Sequence, residues 1–368
     1  MSTWITRIDT PAGDGLRVAV KDAIDVEGVP TTVGCAAVAD VAEPAASDAP
    51  CVATARAAGA RIVGKANLHE LCFGTEGGNP WYGDPVNPLD PERYPGGSSS
   101  GSAVAVATGE ADVGYGTDTG GSVRLPAACC GLVGLKTTWG RISTEGVWPL
   151  SPSLDTVGPI ARDVATVAAG MALLEPGFTV EGVAPATTIG RLRHVPGTDI
   201  DPVADADVDE ALRAAGFEVV DVELPGLTEA GSPFTVLILT EAWASDRALY
   251  ERAPDRIGEQ IRDRLRQSST FSPDLVPAAR DQQERWMDEV RRMFQRVELL
   301  ALPTLHTEPQ RKDSGAGVVN TLVPPWNVAG TPAISVPVGR RRPVPTSLQL
   351  VGPWGSEALL CATATGLA

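Results

Sequence analysis

The chain has 368 residues, enough for one large or two medium domains, and 43% hydrophobic with 21% charged residues is an ordinary soluble composition. A formal net charge of −16 disfavours nucleic-acid phosphate as a partner, because that binding needs clustered Lys and Arg. No apolar run approaches the ~20 residues of a membrane span, so no membrane partner is expected. The six cysteines form no C-x-x-C pair, and with three histidines there is no zinc-type cluster. The start, MSTWITRIDT, lacks a basic region followed by an apolar one. The expectation is a cytoplasmic protein with reduced thiols.

In chain order, Leu16 to Val20 reads as a short β-branched strand ending at Lys21-Asp22. Ala49 to Ala60 reads as an alanine-rich helix closed by Gly59, and Arg61 to Gly64 as a strand. Residues 74–97 are dense in Gly, Pro, Asn and Asp and read as a long surface loop. Then come two glycine-rich, serine-bearing loops, Gly96 to Ser102 (GGSSSGS) and Gly116 to Ser122 (GTDTGGS). Between them, Ser102 to Thr108 reads as a helix, although its alternation also fits a strand. Asp112 to Tyr115 is a short strand feeding the second loop.

Ala161 to Leu174 reads as a helix. Residues 187–224 read as strand, helix (Asp205 to Ala215) and strand (Glu218 to Val222). Ile257, Ile261 and Leu265 mark one amphipathic helix, and Trp286, Val290, Met293, Phe294 and Val297 another. Strand-like text returns at 299–302, 333–338 and 347–351, and residues 355–367 read as a closing helix. With no internal repeat and no low-complexity linker, this is an α/β pattern in a single domain.

Glycine lets a backbone approach a ligand closely, so two such loops can hold serines and bare N–H groups around one point. A serine hydroxyl is a weak nucleophile until a base takes its proton. His69, His194 and His306 sit in no setting that marks a triad, and His69 reads as a structural hydrogen-bonder. No G-x-S-x-G elbow occurs. GLVGLKT is not a phosphate loop, because Leu135 stands where glycine must precede the lysine. A neutral lysine can serve as base instead, and burial lowers its pKa in the required direction. Lys21 is the candidate.

These motifs resemble the amidase signature family. The resemblance rests on GGSSSGS at 96–102 and GTDTGGSVRLPAACCGLVGLKTT at 116–138. It extends to VKDAIDVEGVPTT (20–32), VGKANLHELCFG (63–74), SLDTVGPIARDV (153–164), NVAGTPAISVPVG (327–339) and SLQLVGPWGSE (347–357). It covers most of 16–175 and 299–368, and 176–298 matches loosely as a variable, substrate-shaping region.

What it implies is a mixed, largely buried central sheet flanked by helices, carrying a Ser-cisSer-Lys triad. Ser122 matches the acylated nucleophile, Ser98 the bridging serine after a cis peptide, and Lys21 the terminal base. Backbone N–H groups of Thr119, Gly120, Gly121 and Ser122 are implied as the oxyanion hole. Ser99 is expected to shape its loop or touch substrate, and Asp118 to orient the second loop. Arg124 has two readings, a clamp for a substrate carboxylate or a partner of Asp118 and loop carbonyls. The implied activity is hydrolysis of a small-molecule carboxamide without metal or cofactor.

Family members usually carry a longer helical segment before the lysine, which often contributes to dimer contacts, and a homodimer is one expectation. A second reading is the ammonia-delivering component of a tRNA-dependent amidotransferase. A third, of another class, is a non-catalytic scaffold that kept the fold.

Overall fold

The short β-branched runs of the sequence become neighbours in one sheet. The computed structural model describes residues 3–10, 12–314, 320–339 and 341–367. Its strands are β1 (Trp4–Arg7), β2 (Arg17–Lys21), β3 (Arg61–Ala66), β4 (Val113–Thr117), β5 (Val133–Lys136), β6 (Val157–Ala161), β7 (Thr188–Leu192), β8 (Glu218–Val222), β9 (Leu299–Pro303), β10 (Ala333–Val338) and β11 (Thr346–Val351). Among the described residues they form one eleven-stranded sheet in the order β1-β3-β2-β4-β6-β5-β10-β11-β9-β7-β8. The triplets β3-β2-β4 and β9-β7-β8 are parallel, and the strands between and beside them are antiparallel. The sheet is therefore mixed, and the 176–298 region extends it with β7 and β8.

Both faces of the sheet are covered, as parallel strands require. Alternation along β2 shows it. Val18 and Val20 pack with Ile24, Ile62 and Val113 in one apolar cluster, while Ala19 packs with Ala66, Ala103 and Val104 in another. Lys21 is two residues on from Ala19, so it projects to the face carrying helix Ser100–Ala107. That helix is buried from Ser100 to Val106. Burial all round explains why its apolar pattern did not separate helix from strand.

Three expectations shift. The helix expected from Ala161 starts at Val164, because the Asp163 carboxylate caps it by accepting the Thr166 N–H at 2.7 Å. Ala161 ends strand β6 instead. The helix expected from Asp205 begins at Pro202, capped by Asp201. A 22-residue helix, Gly231–Arg252, lies where no element was predicted. It contributes buried side chains to more than one apolar cluster, so it shows no single stripe. Among the described residues no helix is long and apolar enough to cross a membrane. The six cysteines are free thiols, all buried.

Candidate active site

Strand β2 delivers Lys21 into the protein with no solvent contact. Its Nζ lies 2.7 Å from Ser98 Oγ and 2.6 Å from Thr117 Oγ1, both neutral hydroxyls. Burial pushes the Lys21 pKa below the ordinary lysine value, opposed by the Cys72 thiol and, at longer range, Asp155 and Asp118. The adjacent Asp22 carboxylate does not hold a charge on Lys21. It pairs instead with Lys65 Nζ at 2.9 Å and takes the Thr32 N–H at 3.0 Å.

The first serine loop turns at a cis Gly97–Ser98 peptide, as the resemblance implied. The His69 backbone N–H donates to Ser98 O at 3.0 Å. The imidazole accepts from the Gly77 N–H at 3.3 Å, and burial lowers its pKa to about 4. His69 is thus a neutral structural group, as read from the sequence. Ser99 also faces inward. Its hydroxyl donates to Thr117 O at 3.4 Å, and a Cβ on Gly116 would meet that hydroxyl at 2.5 Å. This is the loop-shaping role, and substrate contact by Ser99 is not supported.

Asp118 and Arg124 set the second loop. Both are completely buried. The Asp118 carboxylate accepts the N–H of Gly121 at 2.8 Å and of Val123 at 3.1 Å. Arg124 reaches it through Nε at 3.0 Å and Nη2 at 2.8 Å. Burial alone would raise the Asp118 carboxyl, but the Arg124 charge and hydrogen bonds, with Lys136 and Asn327, hold it well below the usual range. The remaining Arg124 donors go to Asn327 Oδ1, Val323 O and Gln349 Oε1 at 2.5, 3.0 and 2.6 Å. The substrate-clamp reading of Arg124 is therefore corrected, because its five N–H groups all end on protein acceptors.

The oxyanion expectation is corrected at one position. The Gly121 N–H is spent on Asp118. Among the described residues the N–H groups of Thr119, Gly120 and Ser122 have no acceptor within the protein. Gly121 has φ +118, and a Cβ there would stand 2.6 Å from Val323 Cγ2, so the turn requires glycine.

Ser122 is 7% exposed, whereas Lys21 and Ser98 are at 0%. The expected nucleophile is thus the member of the trio that a ligand can reach. Its backbone carbonyl accepts the Ser99 N–H at 3.3 Å, which ties the two loops together. Lys21 and Ser98 are in direct contact, but among the described residues no hydrogen bond joins Ser122 Oγ to Ser98.

Sequence reasoning missed several residues here. Thr117 was read only as part of a loop, yet it is the second partner of Lys21. Asp155 accepts the Thr119 hydroxyl at 2.5 Å, and its place in the SLDT motif was the available signal. Asn327 donates to Asp118 O and Oδ1 at 3.1 and 2.8 Å. Over Gly120 stand the Phe234 ring, 2.6 Å from a would-be Cβ, and Asn320, whose amide donates to Gly120 O at 3.1 Å.

The sequence model of the family described as Amidase matches residues 9–361. The chain belongs to the amidase family. It is 33% identical to a glutamyl-tRNA(Gln) amidotransferase subunit of Natronomonas pharaonis, over 96% of this chain and 95% of that protein. It is 36% identical to the 2-amino-5-chloromuconic acid deaminase of Comamonas testosteroni, over 96% and 81%. It is 33% identical to the fatty acid amide hydrolase of Medicago truncatula, over 94% of this chain and 63% of that one. A crystal structure of an amidase superposes with a TM-score of 0.87 at 31% identity, covering 96% of this chain and 83% of the other. As a member of this family the chain is a hydrolase of amide C–N bonds.

Proposed function

We propose that this amidase hydrolyses a small or medium carboxamide through an acyl-enzyme on Ser122. The observation that carries the reading is the buried Lys21–Ser98 contact of 2.7 Å beside a loop in which, among the described residues, the N–H groups of Thr119, Gly120 and Ser122 lack acceptors. Neutral Lys21 takes a proton from Ser98 as Ser98 takes one from Ser122. Ser122 Oγ attacks the amide carbon, and the oxyanion is held by the N–H groups of Thr119, Gly120 and Ser122. One such donor is typically worth ~3–4 kcal/mol in the transition state. The proton returns to the leaving nitrogen, which departs as ammonia or an amine. Water, deprotonated along the same path, then releases the carboxylic acid.

The groups over Gly120, a phenyl ring and a carboxamide, carry no charge, and the Arg124 guanidinium is spent inside the protein. This supports an uncharged acyl group. The test is ammonia release from a panel of amides including glutamine. Wild-type release that is abolished in Ser122→Ala and reduced at least ~100-fold in Ser98→Ala is expected. Release undiminished in Ser122→Ala would overturn the assignment.

The high coverage of amidotransferase relatives favours one other reading, a glutamine-hydrolysing component that passes ammonia to a partner. Glutaminase activity that appears only on addition of a co-purifying chain would select it.

A further inference from the structure

The nucleophile loop is the start and the end of a closed polar circuit that passes through the 176–298 region. From Thr119 it runs to Asp155 Oδ1 at 2.5 Å. Asp155 Oδ2 accepts the N–H groups of Leu150 and Ser151 at 3.0 Å each, so both carboxylate oxygens are used. The 150–153 turn is then gripped by one residue of helix Gly231–Arg252. Glu241 accepts the Ser151 hydroxyl at 2.7 Å, the Ser153 hydroxyl at 2.7 Å and the Ser153 N–H at 3.0 Å. Arg280, on helix Val276–Met293, pairs with Glu241 at 2.9 Å and with Gln283 Oε1 at 2.8 Å. Gln283 donates to Val328 O at 2.8 Å. The neighbouring Asn327 returns the circuit to Asp118.

A cavity of about 780 Å³ opens on this circuit, touching Ser153, Arg280, Gln283, Asn327 and Val328. Apolar packing also joins the helices to the turn, through Leu150 with Leu239 and Ala242 and Leu154 with Leu237 and Ala279. Those contacts are non-directional, so the orientation of the turn falls to the Glu241 hydrogen bonds.

We propose that Glu241 is a positioning residue for the reaction. By holding the 150–153 turn, it holds Asp155, and Asp155 holds Thr119, whose N–H is one of the open oxyanion donors. The region that shapes the substrate site thereby also sets the alignment of the nucleophile loop. The kinetic part of this proposal rests on the Ser122 acyl-enzyme reading, and the structural part does not.

The experiment compares wild type, Glu241→Ala and Glu241→Gln in two measurements. Amide hydrogen exchange by mass spectrometry reads loop order without any substrate. Glu241→Ala should speed exchange in peptides spanning 116–123 and 150–156 and leave β10 unchanged, with helix Gly231–Arg252 still protected. Steady-state kinetics on an amide that wild type hydrolyses should show kcat reduced ~10- to 100-fold with KM nearly unchanged, since misplacement of about an ångström costs that much. Glu241→Gln keeps the length and one carbonyl acceptor for the turn, and should recover part of both effects.

Unchanged exchange at 116–123, or faster exchange confined to the helices, overturns the proposal even if no substrate is found. Wild-type kcat in Glu241→Ala, or a KM effect alone, overturns it when a substrate is in hand. Altered exchange in a protein silent toward every amide supports the positioning link and counts against the hydrolytic reading instead.

Discussion

Replacing Arg124 by lysine tests the account of the nucleophile loop most directly. The guanidinium places five N–H donors on Asp118, Asn327, Val323 O and Gln349, all at 2.5–3.0 Å and away from solvent. A lysine ammonium keeps the charge but has three donors on one nitrogen, so it cannot serve five acceptor oxygens set on four residues around a planar fork. At least two buried acceptors lose their partner, at ~1–3 kcal/mol each. The expected loss for Arg124→Lys is ~2–6 kcal/mol. Arg124→Met, which strands the Asp118 charge, should cost ~3–5 kcal/mol even though it fills space.

Because Asp118 also anchors the Gly121 and Val123 N–H groups, both variants should acylate slowly. Urea unfolding gives the stability change, and the rate of single-turnover acyl-enzyme formation gives the functional one. A loss below ~1 kcal/mol in Arg124→Lys, with KM raised and the acylation rate kept, would refute the reasoning. That pattern belongs to a guanidinium that faces substrate.

Two further outcomes follow from titration. Burial lowers the Lys21 pKa, and only the neutral amine can accept a proton, so kcat/KM should fall on the acid side along a limb below the ordinary lysine range. Thr117→Val, which removes one Lys21 partner, should move that limb and lower kcat, and activity still rising through about pH 10 in wild type would exclude Lys21 as the base. Asp246, buried on helix Gly231–Arg252, accepts from Trp148 Nε1 at 3.1 Å, while its Oδ2 has no partner among the described residues. Burial raises its pKa from 3.8 to about 7, with the Glu70 carboxylate pushing the same way.

The native state therefore binds this proton more tightly than the unfolded chain, so stability is lost as pH rises from ~4 to ~7 and is level above. The shift corresponds to up to about 4 kcal/mol. The unpaired N–H groups of an asparagine return about 1–3 of it. That cost is the same at every pH, so Asp246→Asn should be ~1–3 kcal/mol more stable than wild type at about pH 8.5, and its effect there should exceed its effect at about pH 4 by up to about 4 kcal/mol, read by denaturant unfolding. A pH-independent difference would show that Asp246 does not titrate in this window.

The sequence by itself determined the parts whose chemistry is local. Gly116 to Ser122 announces a turn that needs glycine, and Gly121 at φ +118 takes it. The run ending at Lys21 announces a strand with a lysine at its end, and β2 has those limits within a residue. The resemblance of GGSSSGS and GTDTGGSVRLP to the amidase signature family implied that Ser98 and Ser122 serve one site. Tertiary structure alone decided which of several chemically sensible partners each group takes. Arg124 could have met a substrate carboxylate, but its acceptors Asn327 and Gln349 arrive from 203 and 225 residues away. Lys21 needed a second hydroxyl, and Thr117 supplies it only because β2 and β4 lie side by side in parallel. Glu241 reaches the 150–153 turn because helix Gly231–Arg252 crosses it. A residue's type sets what it can bond, and burial forces it to find a partner, but only the folded chain brings that partner within about three ångströms.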